Sequence, residues 1–214
     1  MLERACETVL SEFPNESERV WVDMGGGTGY NIAHLLQYLE KTRGSAAKPV
    51  FTKIYCVDLS SSLCAVAKER FAKPDAVPRG VSVEVVCVDG CVWKPPPNVK
   101  VHLVTMSYSL SMFESPYPPV DHISSNILKK GGLFSIVDFY TSSSTSATDK
   151  QLLTTWFLRH FWQSWFDVDG ISLAPERRKY VEFKFKQISA TSARNIWMGI
   201  PFVRIPYYIF IGRV

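Results

Sequence analysis

Val20-Trp21-Val22-Asp23-Met24-Gly25-Gly26-Gly27-Thr28-Gly29 decides the fold of this chain. A short apolar run ends in an acid and breaks into glycines. Tyr30-Asn31-Ile32-Ala33-His34-Leu35-Leu36-Gln37-Tyr38-Leu39 then carries apolar side chains at helical spacing. Together they read as a strand, a tight turn and a helix N-terminus, which lets backbone approach a nucleotide-like ligand closely. Glycine suits that turn because it accepts positive φ and places no Cβ between main chain and ligand. A dinucleotide loop would want glycine at 25, 27 and 30, but position 30 is tyrosine.

Glycines at 25, 27 and 29 behind Asp23 instead form the pattern associated with S-adenosylmethionine. Two further acids follow strand-like runs. Lys53-Ile54-Tyr55-Cys56-Val57-Asp58 ends in an acid placed to accept both ribose hydroxyls, and Val81–Val88 is followed by Asp89, placed to accept from the adenine amino group. Leu59 could cover one adenine face, with Gly90 and the Cys91 backbone close by. Asp58 stands 29 residues after Gly29, more than the usual spacing of about 20, and the breaker-rich loop Gly44–Pro49 accounts for the excess. The competing reading is that each acid merely caps a helix or turn.

The 214 residues suffice for one domain, 1–214, with residues 1–19 a leading helix (Leu2 to Phe13) and linker. With 46% hydrophobic and 21% charged residues the composition is that of an ordinary globular protein. A net charge of +4 with scattered Lys and Arg does not indicate nucleic acid. No run approaches the roughly 18 to 20 apolar residues of a membrane span, and the N-terminus is too charged for a signal peptide. Five cysteines suit a reducing compartment. Cys87 and Cys91, without a histidine or second pair, read as structural thiols, so no metal is expected.

Further segments complete an alternating α/β pattern. Helices are expected at Asn31–Lys41, at Ser61–Phe71 with Ser60 or Ser61 as N-cap, and at Val120–Leu128. Strands are expected at Val101–Met106 and, after a Gly131-Gly132 turn, at Leu133–Phe139. A Ser/Thr-rich connection over Thr141–Thr148 leads to an aromatic helix, Gln151–Phe166. Val181-Glu182-Phe183-Lys184-Phe185-Lys186 alternates like a half-buried strand, and Tyr207–Gly212 gives the last. Two closing strands without a helix between them should form an antiparallel hairpin. The expectation is a Rossmann-like, seven-stranded, mostly parallel sheet with an antiparallel C-terminal hairpin, the architecture of class I methyltransferases.

Several blocks resemble the methyltransferase portion of betaine lipid synthases, which make diacylglyceryl-trimethylhomoserine. They are Trp21–Asn31, Val57–Cys64, Thr105-Met106-Ser107-Tyr108-Ser109-Leu110-Ser111-Met112, Val137–Tyr140, Trp165-Phe166-Asp167-Val168-Asp169 and Ile205–Gly212. The resemblance implies transfer of three methyl groups from S-adenosylmethionine to the homoserine amine of a diacylglycerol lipid, releasing S-adenosylhomocysteine. Asp23, Gly25, Gly27, Gly29, Asp58 and Asp89 match the cofactor motifs. The aminocarboxypropyl-transferring portion is absent, and the leader before the loop is shorter than usual. A fragment, or a chain needing an aminocarboxypropyltransferase partner, is therefore an expectation. His102 also stands in the fourth strand where related enzymes often have an acid.

For the acceptor side the candidates are Tyr108, Asp138, Tyr140 and His160. Tyr108 is a positioning hydroxyl, a wall for the methylated nitrogen, or an ordinary packed tyrosine. Asp138 could hold the ammonium or take a proton, or be a structural acid. His160 sits in an aromatic run, where a partnered histidine competes with a catalytic one. A quaternary ammonium product favours aromatic walls, for which Phe139, Tyr140, Trp156 and Trp165 are available. The aromatic helix is core, or in part a lid at a membrane surface. Three functions compete: N-methylation of a betaine-lipid precursor, methylation of a soluble small-molecule amine, and a non-catalytic methyltransferase-like subunit. A cytoplasmic location is expected, with peripheral membrane contact if the acceptor is a lipid.

Overall fold

The computed structural model describes residues 1–44, 47–140, 156–168, 170, 171, 173–196 and 204–214, the side chains of 156–159, 195, 196 and 204 excepted. Helix α1 (Leu2–Glu12) precedes β1 (Val20–Met24), α2 (Tyr30–Arg43), β2 (Lys53–Asp58), α3 (Ser61–Ala72), β3 (Ser82–Cys87) and β4 (Val101–Ser107). A 3-10 turn (Leu110–Met112), α4 (Tyr117–His122) and a π-turn (Ile123–Ile127) lead into β5 (Leu128–Phe139). Then come α5 (Trp156–Asp167), α6 (Pro175–Lys184), β6 (Lys186–Ile196) and β7 (Arg204–Arg213).

All five residues of β1 are buried, because helices cover both faces of a parallel sheet. Strand order is β3-β2-β1-β4-β5-β7-β6. The first five strands run parallel, and β7 pairs antiparallel with both β5 and β6. Alternation divides the core. Trp21, Ile54, Leu103 and Ile211 pack with Ala5, Val9, Ile32, Leu35 and Ala67 of α1, α2 and α3. Val22, Tyr55, Val104, Phe134 and Phe210 face the other layer with Val120, Val181 and Phe185. The order reverses between β1 and β4, so a crevice opens at their carboxyl ends, where ligands bind in open α/β sheets.

The expected sheet is therefore present, with local corrections. Val181-Glu182-Phe183-Lys184 closes helix α6, and β6 starts only at Lys186. Six alternating residues also fit a helix: Val181 and Phe185, four apart, are buried, while Phe183 is 82% exposed. Pro175 in the first turn starts that helix. Gly131-Gly132 lies within β5 at a register shift, where Gly131 takes φ 77. Ser60 is the N-cap of α3, accepting from Leu63 N at 3.4 Å. Thr141–Thr148, the first residues of the expected aromatic helix and the Trp156 side chain fall outside the described part.

His102 serves the opposite end of the sheet from the crevice. Its Nδ1 accepts Val20 N–H at 3.1 Å, and its Nε2 meets Glu16, which also pairs with Lys129. Burial holds its pKa below the usual histidine range. The neutral ring ties the leader to β1 and β4. Among the described residues no helix is long and apolar enough to cross a membrane.

Candidate cofactor and acceptor site

The glycine loop is stitched to the end of β2. Gly25 N and Gly26 N donate to the Val57 carbonyl at 2.8 and 3.1 Å. Gly25 takes φ 70, and a Cβ there would lie 2.5 Å from Ser109 Cβ, so only glycine lets the loop meet the end of β4. Gly27 takes φ 55, and no heavy atom lies within 4 Å of where its Cβ would be. That open face is a cradle for a ligand. Gly29, at φ 70, is the N-cap of α2, and Arg70 Nε holds Thr28 O at 2.8 Å.

Asp58 fixes the loop from the side. Its Oδ2 accepts Gly27 N–H at 2.8 Å and its Oδ1 accepts Ser60 N–H at 2.9 Å. Each carboxylate oxygen keeps a further lone pair, so the group can take two hydroxyls of a ribose. Next to it Leu59 is 73% exposed, an apolar face ready for a ring. Val88 N donates to Asp58 O at 2.9 Å, which brings Asp89 to the same edge. The exposed Asp89 accepts Cys91 N–H through Oδ1 at 2.8 Å. Gly90 is buried where a Cβ would collide with Met24, so the β3 end closes onto the β1 end.

Asp23 differs from the other acids. It is 1% exposed, and its Oδ1 accepts the Thr105 hydroxyl at 2.6 Å, while Oδ2 has no partner. Burial, with the nearby Asp58 charge adding, pushes its carboxyl up to about 7. It therefore stands behind the loop, within the β1–β4 seam, and not on the open surface.

Beyond the loop a cavity of about 350 Å³ opens at the carboxyl ends of β4 and β5. Asn31 and His34 line it from α2, Ser107 and Tyr108 from the end of β4, Tyr207 from β7, and Glu3 from α1. Tyr108 takes φ 52, a left-handed conformation that costs a tyrosine about 1–3 kcal/mol. Its N–H donates to Val137 O at 2.8 Å, and its ring packs 4.7 Å from Phe139, which packs 4.9 Å from Phe166. Burial raises its pKa, so the hydroxyl keeps its proton.

The other acceptor-side candidates fall elsewhere. Asp138 is buried and turned inward, accepting Ser111 N–H (2.8 Å), the Ser111 hydroxyl (2.7 Å) and Phe139 N–H (2.8 Å). Burial raises its carboxyl to about 6. The buried Arg177 grips the same segment through Leu110 O, Phe113 O and Glu114 O at 2.8, 2.7 and 3.2 Å. Asp138 thus positions the turn after Tyr108. Tyr140 is buried, with Arg178 over its ring at 4.8 Å, so its face is not offered to a ligand. His160 is exposed on α5, which contributes no described residue to the cavity wall. Asn31, His34 and Tyr207, which line the cavity, were not among the sequence candidates. The first two carried a signal: they lie in the first two turns of the helix that the glycine loop opens.

Residues 1–180 match the family model described as Methyltransferase domain. The chain belongs to that family. Its architecture agrees with solved structures across nearly its whole length. Bacillus subtilis YcgJ matches at TM-score 0.65 and 13% identity, covering 99% of this chain and 98% of the other. A Bacillus halodurans C-125 protein described as a putative methyltransferase matches at 0.64 and 16%, covering 97% of each. The N-methyltransferase NodS of Bradyrhizobium japonicum WM9, in complex with S-adenosylhomocysteine, matches at 0.61 and 10%, covering 99% and 86%. No curated protein matches the chain in sequence. The chain therefore carries a methyltransferase domain, and the open cradle at Gly27 with the spare lone pairs of Asp58 fits the S-adenosylmethionine expected from the glycine pattern.

Proposed function

We propose that this methyltransferase methylates an amine nitrogen presented in the cavity beside Tyr108, and that the amine is the homoserine head group of a diacylglycerol lipid. The observation that carries the reading is the cavity itself. It adjoins the glycine loop through Asn31 and His34, and its walls bear amide, imidazole, hydroxyl and carboxylate groups. About 350 Å³ accommodates a small amino-acid head group and leaves acyl chains outside.

In this reading Asp58 holds the ribose, Leu59 and Asp89 flank the adenine with Gly90, and Gly25, Gly27 and Gly29 let the backbone come close. Asp23 supports the loop from behind. When bound, the cofactor supplies a sulfonium methyl for in-line displacement, which needs the nitrogen about 3–3.5 Å away and correctly aligned. The nitrogen must be neutral, and burial beside a positive centre favours loss of its proton. His34 and Glu3 line the same space and can take that proton. The Tyr108 hydroxyl orients the nitrogen, and the Tyr108 and Phe139 rings form a wall suited to a methylated ammonium.

A lipid acceptor requires contact with a membrane surface. Phe161 and Trp165 of α5 and Val168 just after it are exposed by 41, 48 and 87% and supply an apolar edge for it. An aminocarboxypropyltransferase partner would supply the head group. The second reading, a soluble small-molecule amine, rests on the same cavity, which is large enough to hold such a molecule whole. Incubation with methyl-labelled S-adenosylmethionine and either diacylglyceryl-homoserine or free homoserine, followed by mass spectrometry, separates the two. Label in the lipid alone supports the first. Label in free homoserine alone supports the second, and label in neither overturns both acceptors.

A further inference from the structure

Two cysteines flank the shelf formed by Asp58 and Leu59. Cys64 lies in the first turn of α3, buried, with its thiol donating to the Asp58 carbonyl at 3.5 Å. Cys87 is the last residue of β3, exposed, with its thiol donating to the Leu59 carbonyl at 3.7 Å. Alternation along β3 explains the meeting. Val83 and Val85 pack into the layer that contains Cys56 and Ala67, so Cys87, two residues on, faces the start of α3. The Cys64 thiol also reaches the carbonyl of Val86, the residue before Cys87, at 4.0 Å. Because β3 is an outer strand of the sheet, Cys87 is also open to solvent.

We propose that Cys64 and Cys87 form a reversible disulfide site through which a hydroperoxide weakens cofactor binding. The inference rests on the reading that Asp58 and Leu59 hold the adenosine. Cys87 reacts first, since the other thiols are less accessible, and burial pushes those of Cys6, Cys64 and Cys91 up to about 11 and that of Cys56 higher still.

The Cys87 sulfur attacks the O–O bond, forming a sulfenic acid and releasing one alcohol, or water from hydrogen peroxide. The Cys64 sulfur then attacks the sulfenic sulfur. The S–S bond forms, the S–O bond breaks, and the hydroxyl leaves as water with the Cys64 proton. Two thiols lose two electrons, and one hydroperoxide gains them. Both S–H donors to the Asp58 and Leu59 carbonyls are lost, and the end of β3 is tied to α3 beside the shelf.

The test treats the chain with hydrogen peroxide, maps disulfides by non-reducing peptide mass spectrometry and measures S-adenosylhomocysteine binding by calorimetry before oxidation, after it, and after dithiothreitol. The expected result is a Cys64–Cys87 peptide pair and affinity at least about tenfold weaker, restored by reduction and insensitive to peroxide in Cys87→Ser. Absence of that peptide pair overturns the proposal, as does a pair formed with unchanged affinity. If the reduced chain fails to bind S-adenosylhomocysteine at all, the adenosine reading falls, and with it the effect on binding, while the peptide map still scores the cross-link.

Discussion

The hydroxyl of Thr105 donates to Asp23 Oδ1 at 2.6 Å across the β1–β4 seam, and the same hydroxyl accepts the Trp21 indole N–H at 2.7 Å. Thr105 thus spends its proton on a carboxylate whose second oxygen has no partner.

That arrangement fixes a pH dependence. The Asp23 carboxyl titrates at about 7 in the fold, against an ordinary value of 3.8. The folded state therefore keeps a proton that the unfolded chain releases, and this group lowers stability progressively as pH rises from about 4 to 7. Asp23→Asn keeps an acceptor for Thr105 without the charge. It should raise the thermal midpoint of the cofactor-free protein at pH 8, with about 4 kcal/mol as the upper bound. The gain should shrink toward pH 4. Scanning calorimetry of both proteins across that range checks it, and a gain independent of pH would remove the charge as its cause.

Asp58→Ala removes the acceptor of Gly27 N–H and Ser60 N–H. Each hydrogen bond to a charged group is worth about 1.5–3 kcal/mol, so S-adenosylhomocysteine affinity should fall by at least about tenfold. Asp58→Asn, which can still accept one of the two, should lose less. Calorimetric titration of the three proteins gives the order.

His102 stabilises the fold in its neutral form, since its Nδ1 accepts Val20 N–H and burial lowers its pKa below 6.5. Its contribution is complete above the unfolded value and is lost as pH falls below about 6.5, where the unfolded chain binds the extra proton. Glu16, held at about 2 first by Lys129 and also by His102, loses its contribution in a separate window, from about 4.5 downward. Urea unfolding should show a lower midpoint at pH 5.5 than at pH 7.5 in the native protein. His102→Gln should flatten that difference and leave the change below pH 4.5 in place.

Arg177 and Asp138 hold the segment after Tyr108 from two sides. Arg177→Ala strands three carbonyls, and should cost at least about 1.5–3 kcal/mol in denaturant unfolding. Tyr108→Phe keeps the ring against Phe139 and should leave both stability and S-adenosylhomocysteine affinity unchanged while slowing turnover of the accepted amine. Unaltered turnover would make Tyr108 a wall only.

The sheet was legible because local chemistry and long-range packing agreed there. Val20–Met24 is apolar because both faces are covered, and Gly25, Gly27 and Gly29 are where positive φ is needed. Asp58 ends β2 and Asp89 follows β3 by two residues, because each acid closes an apolar run. Val181–Lys184 was read wrongly because a six-residue alternation satisfies both periods, and the decision lay upstream at Pro175. The acceptor side was legible only in part. Tyr108 reaches the cavity, but which way Asp138 turns depends on Ser111, 27 residues away. Tyr207 arrives through antiparallel pairing of β7 with β5, a contact that no local pattern encodes.

The left-handed backbone at Tyr108 has one more consequence. The strand before it and the pinned turn after it fix the backbone that carries the ring, so that part of its entropy is surrendered during folding and not at encounter. An incoming amine would meet furniture already bolted down, and a glycine at 108, though easier on the chain, would hand back that advance.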